Sequence, residues 1–326
     1  MKGHANTNAS PPPRRFTVDA NIQESYRALT LQQPSNAQKL FRSGRVVIGA
    51  SLSTPSRHVA KIVAVTGADW CWIDAEHVAW ETTLLVECIQ IIIHESGGKM
   101  IPVVRVPSKT SFDYMAWCLD AGAGGIIVPH IETVEEMHEV INACRFPPIG
   151  HRSYPPFTFI DGVTDRAPEG KTVFSVANEH VAIIPQVESR FGIANLEEIA
   201  GLKEITALMI GGKYSVVPHQ IEMSDTPPSA AGDLRLDMNL PLVNAMDGNE
   251  PEFVAAMNKA SAVAKKNCLP LVGLAQSPEL ARTRIDQGFR VLAVTSSFHT
   301  LAFGMMHALG SMKAAAEEHM AKRDQA

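Results

Sequence analysis

The feature that most constrains this chain is an eightfold alternation of short β-branched runs with longer amphipathic ones. The short runs cover residues 46–50, 70–76, 101–106, 125–129, 181–188, 207–210, 270–274 and 291–295. Between them, segments such as 80–95, 111–119, 134–144, 193–199, 252–266 and 278–286 place apolar residues at helical spacing. Strands that alternate with helices must pair in parallel, because each crossover helix returns the chain to the same end of the sheet. Eight such units predict an α/β fold, a single (β/α)8 TIM barrel. An open, doubly wound sheet is the alternative, but no G-x-G-x-x-G follows the first strand to support nucleotide binding. Gly67, Gly97, Gly122, Gly201 and Gly288 sit at the expected helix ends, where a left-handed residue turns the chain back toward the next strand.

The length of 326 residues suits one barrel with terminal extensions. Residues 1–30 are rich in Asn, Ser and Pro and poor in periodic apolar positions, which predicts a mobile arm; residues 31–326 then form the barrel, with a helical lead-in over 37–43. The last amphipathic segment, from 298 to about 323, is longer than a barrel helix needs and is expected to extend onto a neighbouring subunit. Residues 146–172 and 215–250 are long, irregular and rich in Pro and Gly, as functional loops often are. The first holds Arg152, Tyr154, Phe157 and Phe159, a set suited to covering a ligand.

A net charge of -5 without a basic patch argues against nucleic acid as a partner. No apolar run approaches the roughly 20 residues a membrane-spanning helix needs, and the first forty residues lack an apolar secretory core, so a cytoplasmic protein is expected. The five cysteines are scattered through apolar stretches without C-x-x-C spacing, which reads as reduced core residues.

In a barrel of this kind, chemistry gathers at the carboxyl ends of the strands. There the second strand brings Asp74, Glu76 and His77, the third Arg105, and the fifth Gln186 and Glu188, while the sixth runs into Gly211, Gly212, Lys213 and Tyr214. Period-2 alternation in WCWIDAEH puts Trp70, Trp72, Asp74 and Glu76 on one face, and two carboxylates cannot face an apolar core without a cation or hydrogen-bond network to meet them. The other reading makes them the start of a solvated loop, and His77 alone would be an ordinary surface histidine. Arg105 follows an apolar strand, so its guanidinium needs an anion there: a substrate carboxylate or enolate, or a structural bridge to Asp74 or Asp120. Glu188 either coordinates a divalent metal or pairs with an arginine, Arg190 being near in sequence. The amides of Gly211 and Gly212 suit a carboxylate, though a plain tight turn uses the same residues.

The strings IDAEH, PVVRVP, LDAGAGGIIVPHIET, RFPPIGHRS, IPQVES and ALMIGG resemble, in order and spacing, the HpcH/HpaI aldolase/citrate lyase family of metal-dependent class II pyruvate aldolases. The likeness runs from about Arg45 to His307, and the RSYPPFTF segment with the extended N-terminus resembles a fungal branch of the family. The resemblance implies a (β/α)8 barrel in dimers that exchange C-terminal helices and often stack into hexamers. It implies carbon–carbon cleavage or formation next to a pyruvate enolate, on a 2-oxo acid substrate with Mg2+ or Mn2+. By position, His77 would move a proton through a metal-bound water with Asp74 and Asp120 in support, and Arg105 would stabilise the enolate oxygen. Gln186, Gly211, Gly212 and Tyr214 would join Arg105 around the substrate. Glu188 would bind the metal and Glu76 would orient a metal-bound water.

One departure stands out: Tyr214 occupies the place of the family's second metal-binding aspartate. A neutral phenol with pKa about 10 is a poor magnesium ligand. Three readings therefore stand: a carbon–carbon lyase of aldolase or decarboxylase type, a metal-independent cyclase or lyase of a biosynthetic pathway, and a non-catalytic homologue.

Overall fold

The computed structural model describes residues 34–160, 164–210, 232–241 and 248–324. Eight parallel strands close on themselves in sequence order: β1 (Val47–Leu52), β2 (Trp70–Asp74), β3 (Ile101–Arg105), β4 (Gly125–Val128), β5 (Ala182–Val187), β6 (Leu208–Ile210), β7 (Leu271–Leu274) and β8 (Phe289–Ser296). All eight expected strands are present. Outside them pack α2 (Arg57–Ala64), α3 (Thr82–Glu95), α4 (Phe112–Asp120), α5 (Val134–Cys144), α6 (Val173–His180), α7 (Arg190–Ala194), α8 (Leu196–Ala200), α9 (Gly232–Asp237), α10 (Pro251–Lys266) and α11 (Pro278–Asp286). The lead-in helix α1 (Ala37–Phe41) precedes β1, and α12 (Ser297–Asp324) ends the described chain.

Strand alternation sorts the core into two bodies. Cys71, Ile73, Val104, Ile126 and Ile183 face the helices, whereas Trp70, Trp72, Val103, Ile127, Ile184 and Met209 fill the barrel. The base of the interior is closed by α1, whose Phe41 meets Trp70 edge-on at 5.7 Å. Trp70 fits because its partner on β1 is Gly49: a Cβ there would lie 2.3 Å from the indole nitrogen. These buried side chains fill the lower interior, which leaves the carboxyl ends of the strands as the place for chemistry.

Several expectations are corrected. Residues 193–199 are two short helices, α7 and α8, divided at Asn195. Gly67, Gly97, Gly122 and Gly288 have positive φ, but Gly201 has φ -72 and ends α8 in ordinary helical geometry. Cys268 is exposed; the other four cysteines are buried, and burial pushes the Cys71 thiol up to about 12. The proposed arm and most of residues 215–250 lie outside the described residues.

Candidate active site

The strand register builds the site. Asp74 and Arg105 are direct neighbours across β2 and β3, both pointing inward one layer above Trp72 and Val103. Arg105 donates from Nε to Asp74 Oδ1 at 3.0 Å and from Nη2 to Oδ2 at 2.8 Å, a bidentate pair with both side chains buried. Its Cζ lies 4.8 Å from the centre of the Trp72 ring. The indole thus supports the guanidinium from below while Asp74 fixes its plane. Burial works against the charge of Arg105, but Asp74, its hydrogen bonds and Glu76 outweigh that and raise its pKa.

The segment after β2 is pinned over this pair. Trp80 Nε1 donates to the Asp74 carbonyl at 2.6 Å, and the Glu76 N–H donates to Asp74 Oδ1 at 3.1 Å. Glu76 is thereby held above Arg105, its Oε2 2.8 Å from Nη1 in an ion pair that lacks hydrogen-bond alignment. His77 is half exposed, its Nε2 3.6 Å from Glu76 Oε2.

Two strands on from β3, β5 carries Gln186, and Glu188 follows its last residue. Gln186 is fully buried and occupied at both ends of its amide: Oε1 accepts from Arg105 Nη1 at 3.4 Å, and Nε2 donates to Glu188 Oε2. It therefore ties the guanidinium to the carboxylate and has little left to offer a substrate. Glu188 also accepts from the His130 N–H at 2.9 Å. Burial raises the pKa of Glu188 and of Glu76, against the hydrogen bond from Gln186 in the first case and the charge of Arg105 in the second.

His130 escaped the sequence reading although it lies in the IIVPHIET string. The available signal was its place just past the end of β4. It adopts φ 52, a left-handed backbone that costs a non-glycine residue about 1–2 kcal/mol. That turn brings both its N–H and its ring to Glu188, with Nδ1 3.3 Å from Oε1, while Nε2 lies 3.7 Å from Glu76 Oε1. Glu76, His130 and Glu188 each offer one donor atom, and the three atoms lie within 4.8 Å of one another. This O, N, O set at a barrel mouth fits a divalent cation: Glu188 is buried, Glu76 is largely shielded, and Glu76 Oε2 has no aligned donor.

Not every expected residue reaches the mouth. Asp120 is the last residue of α4, and barrel helices run antiparallel to the strands, so it lies toward the opposite face; there it pairs with Arg152 at 2.5 Å. Within one chain it does not support His77. Arg190 is no partner of Glu188 either, since it pairs with Glu252 at 2.6 Å and with the Asp237 and Met238 carbonyls. Tyr154 and Phe159 gather around Phe174, and Arg152 stacks on Phe146, so this cluster covers α6 and not the mouth; Phe157 is exposed. Gly211, Gly212 and Tyr214 lie outside the described residues.

A closed (β/α)8 barrel whose mouth joins a clamped arginine to a carboxylate–imidazole–carboxylate set is an enzyme barrel with room for a metal. The family model described as HpcH/HpaI aldolase/citrate lyase matches residues 49–216, and the chain belongs to that family. Every mouth residue described above falls within the matched range. The 2-keto-3-deoxy-L-rhamnonate aldolase of Klebsiella pneumoniae subsp. pneumoniae is 34% identical over 170 residues, covering 52% of this chain and 60% of the relative. The aligned part is thus well short of that aldolase's full length. The crystal structure of macrophomate synthase superposes with a TM-score of 0.80 at 34% identity, over 90% of this chain and 94% of that one. Citrate synthase SbnG, at 22% identity and a TM-score of 0.69 over 86% of this chain and 99% of that one, shares the fold.

Proposed function

We propose that the chain is a carbon–carbon lyase of aldolase or decarboxylase type that acts on a 2-oxo acid through a pyruvate enolate. The observation that carries this reading is the juxtaposition of Arg105, fixed by Asp74, with the Glu76, His130 and Glu188 donor set. A divalent cation bound there, Mg2+ or Mn2+ by family resemblance, would polarise the substrate's carbonyl.

The chain's own residues supply the rest. Arg105 is the one buried cation described at the mouth, and Nη1, which Asp74 does not engage and which lies against Gln186 and Glu76, is the donor that would turn to negative charge growing on the substrate oxygen. Asp74 keeps that donor aimed, and Trp72 keeps water from beneath it. Gln186 holds the distance between Arg105 and Glu188. His77, open to solvent and beside Glu76, is placed to take or return a proton as the carbon–carbon bond breaks. Gly211, Gly212 and Tyr214, which follow β6, would contact the substrate carboxylate. Decarboxylation of oxaloacetate tests the reading: release of pyruvate should stop on chelation and return with added cation. Turnover that survives chelation yet needs His77 and Arg105 would favour a metal-independent lyase or cyclase instead.

The reading extends to assembly. α12 runs for 28 residues, about 42 Å, with almost no burial against its own barrel. Phe298, Leu301, Met305, Leu309 and Met312 form an exposed stripe at helical spacing. A second copy of the chain is its natural cover, giving a dimer-based homo-oligomer, with a hexamer as the larger form. Sedimentation should show an oligomer that Leu309→Glu dissociates; a wild-type monomer at micromolar concentration would end this part of the reading. No described helix is long and apolar enough to cross a membrane.

A further inference from the structure

Glu188 presents an unusual balance of charge. Its side chain is 1% exposed, yet among the described residues its partners are the neutral Gln186 amide, the His130 N–H and the His130 ring. Arg105, the nearest buried cation, is already engaged by Asp74 and Glu76. A buried carboxylate in that position favours a further positive charge beside it, since Arg105 already serves Asp74 and Glu76. The chain has turned His130 left-handed to put its ring there, and the ring stands between the two carboxylates with one nitrogen toward each.

We propose that His130 is a direct ligand of the divalent cation shared with Glu76 and Glu188, and that its nitrogen turns the site's preference from Mg2+ toward Mn2+, Co2+ and Zn2+. The proposal rests on the lyase reading, in which the mouth carries a metal, and adds to it the donor and the metal class. The 3.3 Å between Nδ1 and Glu188 Oε1 matches the spacing that two ligands of one ion would have: donors about 2.1 Å from one ion lie about 3.0 Å apart in octahedral and about 3.4 Å apart in tetrahedral geometry. Mg2+ favours an all-oxygen octahedron and keeps its waters, whereas imidazole suits the later first-row ions. By family resemblance Tyr214 stands where a second metal-binding carboxylate is expected, and the same nitrogen would let the chain assemble three donors without it.

Pulsed EPR of Mn2+ bound to the full chain, with metal competition, tests this directly. Asp tolerates a left-handed backbone, so His130→Asp removes the nitrogen while sparing the turn, and circular dichroism verifies that it folds. Wild type should show imidazole 14N coupling that survives His77→Asn and disappears in His130→Asp. Zn2+ and Co2+ should displace Mn2+ at concentrations at least about 100-fold below those needed for Mg2+, and His130→Asp should narrow that gap by about tenfold or more. His130→Ala should weaken Mn2+ binding at least about 10–100-fold. If Mn2+ binds without His130-dependent coupling and Mg2+ competes equally, the proposal is overturned while the metal-dependent lyase reading stands. Should wild type bind no Mn2+ at millimolar concentration in the presence of pyruvate, the metal-dependent reading itself fails and takes the proposal with it.

Discussion

The two ends of the barrel interior are built from the same strands yet obey opposite rules. At the base, Val47, Trp70, Ile101 and Val291 share one buried apolar cluster with Phe41 of the lead-in helix. Two layers up, β2, β3 and β5 carry Asp74, Arg105 and Gln186, with Glu188 just past the end of β5, buried as deeply but charged or polar. Apolar burial at the base stabilises the barrel at about 25 cal/mol per Å2 removed from water, whereas charges at the mouth must be offset by one another to be tolerated at all. The base thus stabilises the fold, and the mouth holds a strained and partly unmet set of charges ready for a ligand.

Substitutions can break this division of labour. The largest effect is expected for Arg105→Ala, which leaves Asp74 and Glu76 without a counter-ion: stability should fall by about 3–5 kcal/mol and turnover by about 10²–10³-fold or more, read by urea melts and steady-state kinetics. Trp70→Ala should cost a similar 3–5 kcal/mol while kcat of the folded fraction stays near wild type. Loss of turnover in folded Trp70→Ala protein would show that the two ends are not separable. Gln186→Leu should be milder, about 1–3 kcal/mol in stability, but should weaken metal binding about 10–100-fold, because it frees Glu188 and Arg105 to shift; calorimetric metal titration measures it.

The smallest effect is a pH dependence. Burial raises the carboxyl pKa of both Glu76 and Glu188. With the cation chelated, the folded state then holds protons that the unfolded chain has already released. The stabilising contribution of the two protonated groups is full below the ordinary glutamate pKa of about 4.3 and is lost as the pH rises through their raised values. Thermal melts of chelated protein should reveal this decline, and saturating metal should flatten it. A chelated protein that instead gains stability over that window would place the carboxyls in a wetter setting than the geometry shows.

The repeating pattern makes the barrel legible in the sequence itself. Alternation in WCWIDAEH fixed which residues face inward, and the run that ends in Arg105 announced a cation at the end of a buried strand. Three things were not legible. Asp120 lies within a family string, but its place at the carboxyl end of a helix sends it to the opposite face, which only the direction of α4 reveals. The role of Gln186 depends on having both amide ends occupied, a matter of distances and not of residue type. His130 sits at a strand end like the other site residues, but its relevance depends on a backbone torsion that brings it to Glu188, and nothing in the string VPHIET marks that torsion.

The central claim is that this mouth makes a pyruvate enolate. Exchange of the pyruvate methyl protons with D2O, followed by proton NMR, reports that step without knowledge of the second substrate. Wild type with added divalent metal should exchange the methyl protons far faster than the buffer control, and chelator, Glu188→Gln or Arg105→Ala should each abolish the difference. Exchange no faster than buffer in the metal-loaded wild type, or undiminished exchange in folded Glu188→Gln and Arg105→Ala proteins, would contradict the account.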